Sequence, residues 1–213
     1  MASFTNKWNN SEFTGAVVGA PGTAPTNWTR PSTGGGVTIT NEVVSFGTVS
    51  GRTQIGIKLT VANSTGAAAY VNVLLGEITG ISASTLHQIS LWMRKFNETG
   101  STYFNWLACF EWNSGGGYVN NITSLANPGG TMTQYDNSFT TNGSTGRLTP
   151  YLGVGVPPSS NYSCELEIAN GMLVQGSTLP PGYIPTVDAT NVTYNFNPTP
   201  PRPGRAFLPL LLR

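Results

Sequence analysis

Charged side chains are scarce in this sequence, making up 9% of 213 residues against about 25% in a typical soluble domain. Ten basic and nine acidic residues leave a net charge of +1, too weak a field to hold nucleic acid or anionic lipid. Neither nucleic acid nor a membrane is therefore an expected partner. His87 is the sole histidine, and Cys109 and Cys164 are the sole cysteines, so no multi-His or Cys-rich metal cluster can be assembled within the chain. No cofactor is expected. Nine carboxylates spread over this length offer few acid/base pairs, which speaks against an enzyme. No run approaches the ~18 apolar residues of a membrane span. The longest greasy stretch, residues 206–212, is broken by Pro209. The residues after Met1 carry no apolar signal core, so synthesis in a cytoplasm, reduced thiols and unmodified Asn-x-Ser/Thr sequons are the expectation.

Helical periodicity is missing as well. No 12-residue window repeats apolar residues at i, i+3, i+4 and i+7, and Gly (26) or Pro (15) interrupts most windows. Alternation with a period of two takes its place. Ile55, Ile57, Leu59 and Val61 alternate with Gln54, Gly56, Lys58 and Thr60. Tyr162, Cys164, Leu166 and Ile168 alternate with Ser163, Glu165 and Glu167, the pattern of a half-buried strand. Val71, Val73 and Leu75 repeat it, and further strands are predicted near 37–47, 86–96, 103–112, 118–124, 131–135, 147–156, 171–175 and 190–196. Clusters of Gly, Asn, Ser and Pro separate them. This spacing predicts an all-β, two-sheet antiparallel β-sandwich of jelly-roll type, with Ile57, Leu59, Val73, Leu91, Leu166 and Ile168 facing inward. The expected organisation is an N-terminal arm over 1–14, the sandwich over 15–196 and a Pro-rich C-terminal arm over 197–213.

Aromatic residues are the most informative feature. Phe104, Trp106, Phe110 and Trp112 share one parity of a predicted strand, and Tyr103, Leu107 and Cys109 share the other. One face could stack on sugar rings, or the strand could be covered on both sides. Trp92, followed by Arg94 and Lys95, poses the same question, with Ile89, Leu91 and Met93 on the opposite, core-like parity. Trp92, Trp106 and Trp112 are thus the candidate glycan-stacking residues. His87 reads as a rim residue, Cys109 and Cys164 as buried free thiols, and Asp136 and Asp188 as loop aspartates, each a possible Ca²⁺ ligand or a solvated turn. No nucleophile elbow and no phosphate-binding glycine motif occurs.

The tail reads as an extended docking segment. Pro198, Pro200, Pro201 and Pro203 disfavour helix and remove ladder donors, so it should run in polyproline geometry and reach roughly 50 Å. Phe207, Leu208, Leu210, Leu211 and Leu212 would be its adhesive end, flanked by Arg202, Arg205 and Arg213. The expected landing place is a neighbouring subunit or another protein.

Three segments carry a resemblance. Residues 15–28 read Gly-Ala-Val-Val-Gly-Ala-Pro-Gly-Thr-Ala-Pro-Thr-Asn-Trp, residues 86–95 Leu-His-Gln-Ile-Ser-Leu-Trp-Met-Arg-Lys, and residues 165–186 contain Asn-Gly-Met-Leu-Val-Gln-Gly-Ser-Thr-Leu-Pro-Pro-Gly-Tyr-Ile-Pro-Thr. Together they resemble the carbohydrate-binding-module-like jelly-roll domains of tailed-bacteriophage virion proteins, over residues 13–196. The resemblance implies a structural virion protein: a capsid cement or decoration subunit, or a short head fibre, forming a homotrimer and docking on the major capsid protein. The alternative it implies is a receptor-binding or tail-associated module that contacts host cell-surface glycan. Either would place the protein on the virion. Trp28 as an end plug, with Tyr183 and Pro185 where the chain leaves its last long strand, would then be structural.

Overall fold

The computed structural model describes residues 2–8, 15–17, 23, 26, 32–33, 37–49, 52–63, 69–100, 104–125, 127–156, 162–180 and 192–196. All regular structure among them is strand. One antiparallel sheet runs in the order β10 (Thr133–Thr140), β7 (Leu86–Thr99), β12 (Tyr162–Gln175), β4 (Arg52–Asn63) and β3 (Val37–Val49). The other runs β2 (Ser32–Thr33), β5 (Ala69–Leu74), β11 (Arg147–Val156), β8 (Phe104–Trp112) and β9 (Tyr118–Leu125). A sixth short strand, β6 (Ile78–Thr79), pairs with the start of β11. β1 (Ala2–Asn6) and β13 (Val192–Phe196) pair separately. The chain is an all-β, two-sheet antiparallel sandwich, as the alternation predicts.

The core lies between the sheets. β7 contributes Ile89, Leu91 and Met93, and β12 contributes Leu166 and Ile168, all at 0% exposure. Leu107 and Cys109 of β8 and Leu148 and Leu152 of β11 meet them from the other side. Each such aliphatic side chain contributes about 1.5–3 kcal/mol by leaving water. Leu91, Leu166 and Ile168 thus face inward as expected. The side chains of Ile57, Leu59 and Val73 lie outside the described residues.

Two differences from the sequence pattern have a physical reason. Residues 162–168 and 171–175, expected as separate strands, are one strand with a bulge. Between Ala169 and Met172 the register against β7 shifts, and Asn170 adopts the left-handed region at φ 54°. The strand expected near 131–135 instead runs to Thr140. Asp136, read as a loop aspartate, therefore sits mid-strand, opposite Ser90.

The lead-in segment is the larger correction. Residues 1–14 read as an arm separate from the sandwich, yet residues 2–8 are built into the chain's own sandwich. β1 pairs with β13, and Lys7 N–H donates to the Leu173 carbonyl at 2.7 Å. Asn6 is fully buried; its Nδ2 donates to the Gly171 carbonyl and its Oδ1 accepts from Leu173 N–H and Trp8 N–H. Trp8 is 0% exposed, and its indole N–H donates to the Leu75 carbonyl at 3.0 Å. A Cβ on Gly171 would stand 2.8 Å from the Trp8 ring, so only glycine admits this close approach. Trp8 thus fills the bulge of β12 while anchoring to the opposite sheet. The expected plug Trp28, together with Tyr183 and Pro185, lies outside the described residues.

Candidate functional site

The candidate site lies on the outward face of the six-stranded sheet. Leu107, Cys109 and Glu111 of β8 point into the sandwich, so Phe110 and Trp112 project the other way. A glycine-rich hairpin then brings a third aromatic beside them. Asn113 N–H donates to Gly117 O, Gly116 N–H donates to Asn113 O, and Asn113 Oδ1 accepts from Gly117 N–H. This closure sets Tyr118 directly across from Trp112. The two rings meet edge to face at 5.8 Å, and Phe110 stands edge-on to Trp112 at 6.1 Å. From β11, Tyr151 stacks on Phe110 at 4.2 Å and donates its hydroxyl to Asn121 Oδ1. Such aromatic pairs add about 0.5–1.5 kcal/mol beyond burial and hold each other's orientation. Trp112 is partly exposed and Tyr118 is 60% exposed.

A groove of about 330 Å³ opens beside Trp112, lined by Leu74, Gly116 and Thr149 as well as by Glu77 and Arg147. Thr149 Oγ1 accepts the Trp112 indole N–H at 3.0 Å, fixing the ring at the groove's edge. Arg147 Nη1 donates to Glu77 at 3.1 Å, and its Nε–H reaches the Asn113 carbonyl at 3.4 Å. Gly116, at φ 89°, leaves room for the guanidinium: a Cβ there would lie 2.4 Å from Arg147 Nη2. Behind the face, fully buried Glu111 accepts from Asn120 Nδ2, Asn142 N–H and Thr145 Oγ1–H. One carboxylate thereby ties the start of β9 to the loop that delivers Arg147. An aromatic shelf that ends in a donor–acceptor pair can stack a ring and hydrogen-bond its hydroxyls.

The three sequence candidates are not brought together. Trp112 belongs to the shelf. Trp106 stands in the same strand opposite Gly153 and Leu125, with its side chain outside the described residues. Trp92 is in the other sheet, opposite Gln134 and Ala169, and is half-buried on that sheet's outward parity. Beside it Arg94 pairs with Glu167 and lies over Phe96, 5.2 Å from the ring centre. The docking-arm residues Pro200, Pro201, Arg202, Arg205, Phe207, Leu208, Leu210, Leu211 and Leu212 lie outside the described residues, as does Asp188.

His87 is not a rim residue: it is fully buried, stacked on Phe139 at 6.0 Å. Its Nδ1 donates to the Thr85 carbonyl at 2.9 Å, which assigns the tautomer and leaves Nε2 without a partner. Burial pushes its pKa below the usual 6.5, against the raising effect of the Thr85 bond, with Lys7 lowering it and Glu111 raising it further. Cys109 and Cys164 are buried free thiols, as expected. Desolvation drives both upward, Cys164 to about 11 and Cys109 beyond, so neither presents a thiolate at neutral pH. Among the described residues no cluster of His, Cys, Asp and Glu is arranged to hold a metal ion.

Sequence reasoning missed Glu77, Tyr118, Arg147 and Tyr151. The motif Trp-Asn-Ser-Gly-Gly-Gly-Tyr over 112–118 is a hairpin signal that could have paired Tyr118 with Trp112. The other three reach the site only through sheet register, which no local pattern encodes.

No protein-family model matches the chain, and no curated protein matches it in sequence. Similarity appears among solved structures. The family 11 carbohydrate-binding module from Clostridium thermocellum, in complex with a β-1,3-1,4-mixed-linked tetrasaccharide, is similar at a TM-score of 0.50 and 13% identity, over 88% of this chain and 99% of that one. The enzymatically active domain of bacteriophage CBA120 tailspike protein 4 is similar at a TM-score of 0.50 and 19% identity, over 70% of this chain. This chain spans 19% of that tailspike chain's length. TmCBM61, in complex with β-1,4-galactotriose, has a TM-score of 0.45 at 12% identity, over 80% of this chain and 99% of that one. At these identities the likeness is one of fold: a jelly-roll sandwich of the carbohydrate-binding-module kind.

Proposed function

We propose that this chain is a glycan-contacting module that binds polysaccharide through the outward face of its six-stranded sheet. The observation that carries the reading is the partly exposed Trp112–Tyr118 pair, rigidly oriented beside a groove that ends in Arg147 and Glu77. A pyranose presents one apolar C–H face and a rim of hydroxyls, and this surface offers a match for each. The reading is one of binding without catalysis. Hydrolysis of a glycosidic bond uses a pair of carboxyl groups about 5–9.5 Å apart, and Glu77 is the sole carboxylate among the described groove residues.

The tailspike likeness favours a tail-associated setting on a phage particle, where host surface polysaccharide is the natural ligand. A homotrimeric cement or head-fibre subunit docked on a major capsid protein is the second reading. It draws on the apolar segment 206–212, which would supply the docking contact. A glycan array with the full chain tests the main reading. Binding at about millimolar to high micromolar affinity, weakened at least about tenfold by Trp112→Ala, is the expected result. An array without hits would sink it.

A further inference from the structure

We propose that Glu77 sets the charge specificity of this groove, admitting uncharged sugars and turning away uronates and other anionic residues. The inference rests on the glycan-binding reading and adds a substrate class to it. Arg147 is the groove's cation, positioned beside Trp112 where a stacked ring would present its substituents. Left alone, a guanidinium there would be a carboxylate receptor, because its planar fork matches that group in two parallel hydrogen bonds. It is not alone. Nη1 donates to both oxygens of Glu77, at 3.1 and 3.3 Å, and Nε is directed to the Asn113 carbonyl.

Glu77 and Arg147 are also the only charged groups among the described groove residues, so the described lining is neutral. An incoming carboxylate would have to displace Glu77 from the fork or settle beside a like charge. A neutral hydroxyl meets neither obstacle and can bond to donor and acceptor as they stand. The pair is held from both sides. β6 pairs Thr79 with Arg147 itself, and the Gly116 turn leaves the guanidinium its space. Because Glu77 is about half exposed, replacing it removes charge without opening the core.

The test titrates the full chain with neutral tetrasaccharides (β-glucan, galactan and mannan) and with oligogalacturonate of the same length, by calorimetry at 50 and 500 mM NaCl. The wild-type chain should bind a neutral sugar and show little uronate affinity, with little dependence on salt. Glu77→Gln should improve uronate affinity relative to the neutral sugar by about fivefold, the scale of a partly exposed ion pair. That gain should shrink at 500 mM NaCl, where the screening length falls to about 4 Å. It should vanish when Arg147→Gln is added. A wild-type preference for the uronate, or a Glu77→Gln chain with an unchanged ratio, would overturn the proposal while leaving glycan binding intact. Failure of every sugar to bind the wild-type chain would overturn both.

Discussion

Trp8 and Trp112 are the same residue put to opposite uses. Both indole N–H groups are satisfied at 3.0 Å, but Trp8 donates to a backbone carbonyl and Trp112 to a side-chain hydroxyl. Trp8 packs against the backbone of a strand bulge at Gly171 and is fully buried. Trp112 stands among rings that are themselves partly exposed and borders a groove. A tryptophan gripped by main chain is committed to the fold, because backbone cannot be rearranged without breaking a sheet. One held by other side chains on an outward face keeps a surface for something else. The number of aromatic residues in a segment does not separate these cases; the partners do.

Removing Trp8 is expected to have the largest effect. Trp8→Ala should destabilise the chain by about 3–5 kcal/mol, read as a lower urea midpoint, because the bulge and the inter-sheet gap cannot both collapse. A loss under 1 kcal/mol would show that residues 2–8 are a detachable arm after all. Trp112→Ala should reverse the balance: glycan affinity falls at least about tenfold, from the loss of stacking, with a melting temperature within a few degrees of wild type. Trp92→Ala should leave that affinity unchanged, since Trp92 belongs to the other sheet. If Trp92 and Trp112 contribute equally, the shelf is not the site.

The Trp8 side of the comparison also carries a pH test. His87 lies fully buried with an unpartnered Nε2, and its folded pKa is lowered, chiefly by desolvation and also by Lys7. The unfolded chain therefore takes up a proton below about 6.5 that the folded chain refuses. Stability is full above that pH and falls, as pH drops toward the lowered folded value, by up to about 1.4 kcal/mol per unit. In His87→Gln this slope should flatten between pH 6.5 and 5 in denaturant melts. The smallest effect belongs to Arg94→Ala on the other sheet. Arg94 is 38% exposed, and its ion pair with Glu167 should be worth no more than about 1 kcal/mol.

Much of the sandwich was legible because a half-buried strand repeats every two residues. Residues 147–156 were predicted at their observed limits, and Ile89, Leu91 and Met93 face the core as their parity says. Errors fall where local chemistry misleads. Gly171 and Asn170 look like a break between strands, but a bulge absorbs them and the strand continues. Asp136 reads as a loop residue, although it lies in the sheet's outer strand β10. The lead-in segment was illegible because its partner strand is about 190 residues away. The candidate site was half visible for the same reason. Trp112 and Phe110 are neighbours in sequence, whereas Tyr151, Arg147 and Glu77 arrive through pairings that span tens of residues.

The pairing of β1 with β13 also sets a schedule. Ala2–Asn6 leaves the ribosome about 190 residues ahead of its partner Val192–Phe196. At about 5–20 residues per second the early strand must wait some ~10–40 seconds for its mate. During that interval an unpaired edge is open to other nascent chains, and the bulge of β12 cannot receive Trp8 until β12 itself has emerged. Closure of this sandwich is therefore late relative to the synthesis of β1 and governed by a long loop, and yield in the cell should depend on translation rate and chaperone supply more than on final stability.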